Sequence, residues 1–489
     1  MTSMEPQILF RNAILYDGSA GPPFAGDLAI GDGRILAMSA GEPLAEVHAE
    51  QEIDLSGKAL APGFIDAHTH DDRAVLDHPD MAPKISQGVT TVVTGNCGIS
   101  IAPVSFEDAP PPPMNLLGGQ SAYQFESMAS YADALRRKRP CVNVVALVGH
   151  SALRLAVMDD VSCPATGDEI QRMRGLAARS MDEGASGFST GLFYKTNEAA
   201  DEREVAAVGE AISERQGIYT THMRNEEDQV LDSIEESYRT ARAARLPLLI
   251  SHHKCANVGN WGRTRETLGL IERLRSRHPI NFDVYPYAAG STILREDLVT
   301  DKFRIVVTWS LPHPEMRGRD LSDVASDWGL SLLEAARKLN PAGAIYFQMH
   351  EDDVRRVMAS EHSIIGSDGL PLDAHPHPRL WGTFPRVIGR YARDLGLFSM
   401  ETAIHKMTGK TARIFGLRDR GFLRTGFAAD LVVFDPATII DRATYEHPER
   451  VSEGIEMVFV NGELACLDGS STSAGSGRLL RGWREPAHA

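Results

Sequence analysis

The chain has 489 residues, of which 43% are hydrophobic and 24% are charged, and these proportions are ordinary for a globular protein. Its formal net charge of −16 argues against nucleic acid and against an anionic membrane as partners. Five scattered cysteines do not form a disulfide framework and no apolar run is long enough to span a membrane, so we expect a cytoplasmic protein.

The first part of the chain, residues 7–61, has the pattern of short strands joined by tight turns. Asp17-Gly18 and Gly31-Asp32-Gly33 are hairpin signals between apolar segments. The C-terminal part has the same texture, with strand patterns over 429–435 and 457–462. Because neither end could close a core alone, we expect residues 1–61 and 415–489 to form one composite small domain, a β-sandwich.

Between these ends, short apolar runs alternate with helical stretches, which is typical of βα units in a parallel sheet. Eight such runs predict an α/β fold with a (β/α)₈ barrel over residues 62–414. The long gap between the seventh and eighth runs predicts an insertion, residues 288–348, that forms a lid over the barrel mouth. The runs are 59–66, 89–94, 142–148, 185–189, 218–221, 248–251, 281–284 and 363–366.

Two histidines, His68 and His70, follow the first run. Residues i and i+2 of a strand face the same side, so the two imidazoles can converge beyond the strand end. Such a pair is a common beginning of a zinc site or another transition-metal site. Barrel active sites lie at the C-terminal ends of the strands, so the polar residues that follow other runs are candidate ligands or acid–base groups. These are Cys97, His222, His252 and Asp368.

Several longer motifs surround these candidates. They are Pro62-Gly63-Phe64-Ile65-Asp66-Ala67-His68-Thr69-His70, Asn96-Cys97-Gly98, Ser251-His252-His253-Lys254, Asp283-Val284-Tyr285-Pro286-Tyr287, Gly366-Ser367-Asp368-Gly369 and His377-Pro378-Arg379. With this set the chain resembles the amidohydrolase superfamily and, within it, the D-aminoacylases (N-acyl-D-amino-acid deacylases). Many superfamily members carry a metal-bridging carbamylated lysine on the fourth strand. The run 185–189 has no lysine, which disfavours a cyclic-amide hydrolase such as a hydantoinase.

The resemblance implies zinc as the cofactor, with one tightly bound ion and a second, weaker site. It implies that the tight site consists of Cys97, His222 and His252. It implies that the weaker site is surrounded by His68, His70, Cys97 and Asp368. Zinc would polarise the amide carbonyl and lower the pKa of a water molecule towards about 7. Asp368 would take the proton of that water and pass it to the leaving amine, which gives a carboxylate and a free D-amino acid.

The resemblance also implies donors for the substrate α-carboxylate, namely Lys254, Tyr285 and Ser291, with Arg379 nearby. We further expect Arg295 to pair with a side-chain carboxylate of the substrate, so that N-acyl-D-glutamate is preferred, as in the N-acyl-D-glutamate deacylases, with N-acyl-D-aspartate as the other acidic substrate that fits this pairing. The alternative is that Arg295 pairs with Glu296, Asp297 or solvent, which leaves apolar D-amino acids as the substrates. The D-stereochemistry rests on the resemblance alone, and the oligomeric state stays open. A metal-free assembly protein of this fold is a third alternative.

Overall fold

The structure is a computed structural model that describes residues 6–482. The remaining residues, 1–5 and 483–489, belong to the ranges predicted for the small β domain and lie outside the described part. None of the helices between residues 6 and 482 is both long and apolar enough to cross a membrane.

A parallel sheet in which each strand pairs with the next one along the chain forms the barrel. The first and eighth strands meet where the Ala67 amide donates a 3.2 Å hydrogen bond to the Ile365 carbonyl. Each of the eight predicted runs overlaps one strand of this sheet, so the predicted (β/α)₈ fold is confirmed. In chain order the barrel strands are Phe64–Asp66, Val89–Thr94, Asn143–Gly149, Gly187–Gly191, Ile218–His222, Leu248–Ile250, Ile280–Val284 and Ser363–Ile365.

The first predicted run, 59–66, is not one strand. Ala59–Pro62 belongs to a second sheet, and only Phe64–Asp66 belongs to the barrel. Gly63 lies between them against the side chain of Thr90, where an added Cβ would come within 2.2 Å of Thr90 Cγ2. The chain therefore crosses from one sheet to the other at a point where the close packing requires a glycine.

The helices cover the outside of the barrel, and Gly167–Glu183 shows why they form. Thr166 and Glu169 make a reciprocal capping box that satisfies free amide groups at its first turn. Its buried residues recur mainly at spacings of three and four, which places one apolar face against the barrel. The α-helices are Ala74–Asp77, Ala82–Ile85, Met128–Lys138, His150–Val157, Gly167–Glu183, Glu202–Ser213, Val230–Ala244, Thr264–Arg275, Leu321–Trp328, Leu332–Leu339, Glu351–Ala359, Arg379–Arg386, Met400–Met407 and Gly409–Phe415, and a π-helical segment, Val387–Asp394, continues the twelfth.

The second large sheet is built from both ends of the chain, which join where Ala59–Pro62 pairs antiparallel with Leu431–Phe434. Leu431 and Val433 enter a core confined to this sheet, whereas their neighbours Val432 and Phe434 enter the core shared with the barrel. This alternation has the period of two that a strand with two buried faces requires. The strands are Ile8–Leu15, Phe24–Gly31, Arg34–Met38, Gln51–Asp54, Ala59–Pro62, Leu431–Phe434, Ile455–Val460, Glu463–Leu467 and Ser470–Ser471.

The C-terminal range 415–489 does not belong wholly to this second sheet. Leu479–Leu480 pairs parallel with Val144 and Val145 of the third barrel strand. The last described residues therefore extend the barrel.

The predicted insertion forms a small layer of its own over the barrel mouth. Its strands Ile305–Ser310 and Ala342–Tyr346 share a core with the helices Leu321–Trp328 and Leu332–Leu339, and Gly290–Ile293 pairs antiparallel with Ala342–Tyr346 in the same sheet. A shorter excursion after the second barrel strand pairs Val104–Ser105 with Gln124–Phe125 and carries the proline run 110–113. Both segments lie at the same end of the barrel as the candidate residues.

Candidate metal centre and its cavity

All six candidate ligands come together at the C-terminal end of the barrel. His252 occupies the middle of one group, with its Nε2 3.5 Å from Cys97 Sγ and 3.0 Å from His222 Nδ1. These atoms belong to buried side chains that follow or end the second, fifth and sixth strands. A thiolate and two imidazole nitrogens that point at one another form a donor set that zinc prefers.

A second group shares the same thiol. His68 Nε2 lies 3.2 Å from Cys97 Sγ and 3.4 Å from Asp368 Oδ1, and His70 Nε2 lies 3.3 Å from the same carboxylate oxygen. The donor atoms of His68, His70 and Asp368 all lie within 4.8 Å of one another, as do those of His68, Cys97 and His252. Cys97 therefore stands between two candidate metal positions.

Two further carboxylates hold the far side of the imidazole rings. Glu226 Oε1 lies 3.1 Å from His252 Nδ1, and Glu226 Oε2 lies 3.5 Å from His222 Nε2. Asp283 Oδ2 lies 3.3 Å from His68 Nδ1, and Asp283 Oδ1 accepts the His252 backbone amide at 2.8 Å. Histidines that bind metals usually donate their other ring N–H to a carboxylate. The carboxylates thus turn the Nε2 atoms of His68 and His252 towards Cys97.

The charges of the site favour a cation at its centre. Burial raises the pKa of the Cys97 thiol, but the facing imidazoles of His68 and His252 outweigh burial and hold this pKa well below its usual value. Burial likewise raises the pKa of Asp368, while Arg379 and His68 outweigh it and hold the pKa well below the usual range. Two anions in a water-poor pocket, surrounded by imidazole nitrogens, form a donor set that suits a zinc ion. The residues present therefore fit zinc.

The backbone at three of these residues lies in the left-handed region. The φ angles are 54° at Cys97, 35° at His252 and 51° at Asp368. Residues other than glycine rarely adopt this conformation, and it persists only where the surroundings impose it. The barrel strands and their loops thus hold these side chains in place at a local cost in backbone energy.

A cavity opens above the candidate metal positions. Lys254, Tyr285 and Ser291, which the resemblance implies as donors to a substrate carboxylate, line it. Lys254 Nζ is held 2.7 and 2.8 Å from the two oxygens of Glu226. The apolar and aromatic part of the lining consists of Leu116, Phe193, Tyr194, Leu298, Tyr346 and Leu370. The insertion contributes Gly290, Ser291, Thr292, Leu298, Tyr346 and Gln348 to this cavity.

Two predicted substrate-binding residues, Arg379 and Arg295, contact carboxylates of the protein. Arg379 is fully buried behind Asp368, with Nη1 2.9 Å from Asp368 Oδ2, and its Nη2 donates to the Ser291 carbonyl at 3.1 Å. Arg295 lies outside the cavity lining: its Nε donates to Asp297 at 3.0 Å, its Nη2 contacts the same carboxylate at 2.5 Å, and its guanidinium stacks on Phe193. The structure thus places Arg379 next to the catalytic candidate and pairs Arg295 with Asp297, the second of the two arrangements considered for it.

The sequence patterns did not single out Glu226, and they placed Asp283 in a motif without assigning it a role. Glu226 follows His222 by four residues and stands next to Glu227 and Asp228, so three consecutive acids hide which of them faces inward. Asp283 lies within the seventh strand, where an acid among apolar neighbours is a signal that its carboxylate has a buried partner.

Comparison with known proteins agrees with this geometry. The family described as "Amidohydrolase family" matches residues 51–303 and 320–465. The chain is 50% identical over 473 residues to a D-aminoacylase of Alcaligenes xylosoxydans xylosoxydans, a match that covers 97% of each protein. It is 44% identical over 478 residues to an N-acyl-D-glutamate deacylase of the same organism, covering 97% of this chain and 96% of that protein.

One solved structure adds a ligand to the comparison. The N-acyl-D-glutamate deacylase of Bordetella bronchiseptica, complexed with zinc and a phosphonate inhibitor that mimics the tetrahedral intermediate, superposes with a TM-score of 0.93. That match has 43% sequence identity and covers 98% of this chain and 100% of that chain. The likeness therefore extends over barrel, insertion and second sheet together.

Proposed function

The chain belongs to the amidohydrolase family, and on this basis we propose that it is a zinc-dependent hydrolase of N-acyl-D-amino acids that releases a carboxylate and a free D-amino acid. The observation that carries the proposal is the convergence of Cys97, His222, His252 and Asp368 at the base of a cavity that also holds Lys254. A cyclic-amide hydrolase is disfavoured, because the fourth strand, Gly187–Gly191, offers no lysine to bridge two metals.

The site residues act either as metal ligands or, in the case of Asp368, also as the catalytic base. Cys97, His222 and His252 would hold the tightly bound ion, and His68, His70, Cys97 and Asp368 a weaker one. When bound, zinc would polarise the amide carbonyl and lower the pKa of a nearby water molecule. Asp368 presents one carboxylate oxygen to His68 and His70, while Arg379 holds the other at 2.9 Å. The oxygen that faces His68 and His70 is the base that would take a proton from the attacking water.

The same carboxyl group then returns that proton to the leaving nitrogen. Without this second transfer the product would leave as an amide anion, which is far too basic to form at neutral pH. Asp368 is thus both the base and the acid of the reaction.

The substrate α-carboxylate is bound by Lys254, Tyr285 and Ser291. The Lys254 ammonium lies 2.7 and 2.8 Å from the two oxygens of Glu226 and 2.8 Å from His252 Nδ1, so the substrate carboxylate would replace one of these contacts. Arg379 contributes indirectly, because its contacts with Asp368 and with the Ser291 carbonyl join the catalytic carboxylate to the carboxylate-binding strand.

The geometry supports an apolar side chain on the substrate better than an acidic one. Among the described residues that line the cavity, Lys254 is the one lysine or arginine, and the α-carboxylate requires it. Arg295 would have to leave Asp297 to reach an acidic side chain. N-acyl-D-glutamate remains the second candidate, because a relative at 44% identity has that specificity.

A substrate panel decides between these candidates. We expect the zinc-loaded protein to hydrolyse N-acetyl-D-leucine with a higher kcat/KM than N-acetyl-D-glutamate, and to leave N-acetyl-L-leucine intact. The Arg295→Ala variant should keep its activity on the leucine compound. A preference for the glutamate compound, lost in Arg295→Ala, would restore the acidic specificity, since a desolvated charge pair contributes several kcal/mol to binding. No hydrolysis of any N-acyl-D-amino acid would refute the function itself.

Three wider expectations belong to the same proposal. The insertion 288–348 acts as a lid, which its share of the cavity lining supports. The two end segments together form a composite small β domain beside the barrel, which their shared second sheet supports. The location is cytoplasmic, which five free thiols support, and cell fractionation tests it.

A further inference from the structure

The first and eighth barrel strands meet directly below the catalytic carboxylate, and their pairing is unusually sparse. The backbone contacts across this seam are those from Ala67 to Ile365 and from the Asp368 amide to the His68 carbonyl at 2.8 Å, with one further bridge between Thr69 and Gly369. Every other pair of neighbouring barrel strands pairs over two or more consecutive residues. Side chains must therefore contribute to closing the barrel here.

A buried lysine provides these contacts. Lys84 comes from a third element, the helix Ala82–Ile85, and its side chain is completely inaccessible to solvent. Its Nζ donates at 2.8 Å to Asp66 Oδ2 on the first strand and at 2.8 Å to Ser367 Oγ beyond the eighth. The other oxygen of Asp66 accepts the Ser367 amide at 2.7 Å and the His68 amide at 3.3 Å.

The group Lys84, Asp66 and Ser367, which we call the seam clamp, therefore holds both loops that carry catalytic and metal-site residues. His68 is two residues from Asp66, and Asp368 directly follows Ser367. Lys84 itself contacts neither the cavity nor any candidate ligand among the described residues. Burial lowers the pKa of Lys84, but Asp66 and Asp71 outweigh burial and raise it above the usual value, so the lysine stays charged.

We propose that Lys84 is a positioning residue of the deacylation reaction: through Asp66 and Ser367 it sets where the Asp368 carboxylate stands relative to His68 and His70. This proposal rests on the proposed function. A lysine that served stability alone would not need to connect the two loops at their catalytic ends. Removing the ammonium group leaves Asp66 as a buried carboxylate without its counter-ion, so that the Asp66–Ser367 contact also loosens.

Lys406 provides a matched control at the opposite end of the same strand. It is also a buried lysine, and its Nζ donates at 2.8 Å to Ser363 Oγ, where the eighth strand begins. Lys84→Met and Lys406→Met therefore each remove a buried amino group that contacts one end of this strand. Only the first variant affects the end that carries Asp368.

The test compares kinetics and structure of the two variants at a temperature well below both unfolding transitions. We expect Lys84→Met to lower kcat by about 10- to 100-fold, the range found when partners of site residues are removed, with KM and tight zinc content close to wild type. Lys406→Met should lower the unfolding temperature and leave kcat unchanged. A kcat that falls equally in both variants, or in neither, overturns the proposal.

If Lys84→Met does not fold, Ser367→Ala replaces it, since this variant removes one acceptor of the seam clamp without opening a large cavity. A wild-type kcat in Ser367→Ala overturns the proposal. If the wild-type protein cleaves no N-acyl-D-amino acid, the proposed function fails. Crystal structures of the two lysine variants then test the seam clamp independently of activity. The clamp predicts that Asp368 Oδ1 leaves its contacts with His68 and His70 in Lys84→Met but not in Lys406→Met, and an unmoved carboxylate overturns it.

Discussion

Glu226→Gln tests whether the Glu226 carboxylate holds His222 and His252 in the orientation that binds the metal. The substitution keeps the size of the side chain and removes its negative charge. In the wild-type protein this charge faces His252 Nδ1 at 3.1 Å, His222 Nε2 at 3.5 Å and Lys254 Nζ at 2.7 Å. The amide would bind the imidazoles more weakly, so their orientation towards Cys97 would be less well fixed.

The size of the effect follows from these contacts. Loss of a carboxylate that orients a metal-binding histidine lowers metal affinity by about 10- to 100-fold. This range corresponds to about 1.4 to 2.7 kcal/mol, since each factor of ten is about 1.4 kcal/mol. The variant also leaves the Lys254 ammonium, which is almost fully buried, without its counter-ion, and such a loss costs roughly 3–5 kcal/mol of folding stability.

A second buried glutamate separates the two effects. Glu204 also faces a histidine and a cation, His150 at 3.0 Å and Arg154, but it lies away from the cavity. Zinc affinity is measured by competition with a chelator of known affinity, and stability by urea unfolding. Glu226→Gln should lose both affinity and stability, whereas Glu204→Gln should lose stability alone. Equal zinc affinity in wild type and Glu226→Gln would refute the reasoning.

Three further predictions concern the site and its surroundings. Cys97→Ala should lose its tightly bound zinc on dialysis, whereas the double variant His68→Asn, His70→Asn should keep it by metal analysis; the reverse result would make the histidine pair the tight site. Asp368→Asn should lower kcat by about 10²- to 10⁴-fold while binding zinc, and a smaller loss would assign the proton transfers to another group. The folded-state pKa of Glu204 is depressed, against burial, by His150 and Arg154 from 4.5 to about 2, so its stabilisation is present above pH 4.5 and is lost as the pH falls through about 2. The stability difference between wild type and Glu204→Gln should therefore shrink over that interval in urea titrations, and a constant difference would contradict it.

The barrel could be predicted because its signals are local. Parallel strands buried on both faces are short, nearly continuous apolar runs, and Val89–Thr94 and Asn143–Gly149 are of this kind. The run 59–66 could not be divided from sequence, because both of its halves are apolar and both are buried. What separates them is the close approach of Thr90 to Gly63, and contacts between distant residues leave no local pattern.

Long side chains were the hardest part of the site to place. His68 and Cys97 have short side chains, so their direction follows closely from the backbone. The Arg295 guanidinium can reach in several directions. In the structure it pairs with the carboxylate of Asp297, only two residues away. A charge pair at that separation forms at little entropic cost, whereas a pair with a substrate would have to compete with it. Sequence spacing alone could not rank these two partners.

The left-handed backbone at Cys97, His252 and Asp368 is a feature of the site that the residue types alone do not predict. A turn at these angles would ordinarily carry glycine or asparagine, because each other residue type costs about 1–3 kcal/mol there. Here three such positions carry side chains that meet at one point, so the chain gives up stability where donor atoms are needed. The surrounding contacts must then impose the geometry: Asp283 holds the His252 amide, and the His68 carbonyl accepts the Asp368 amide. The contacts between the first and eighth strands therefore hold candidate site residues in place as well as closing the barrel.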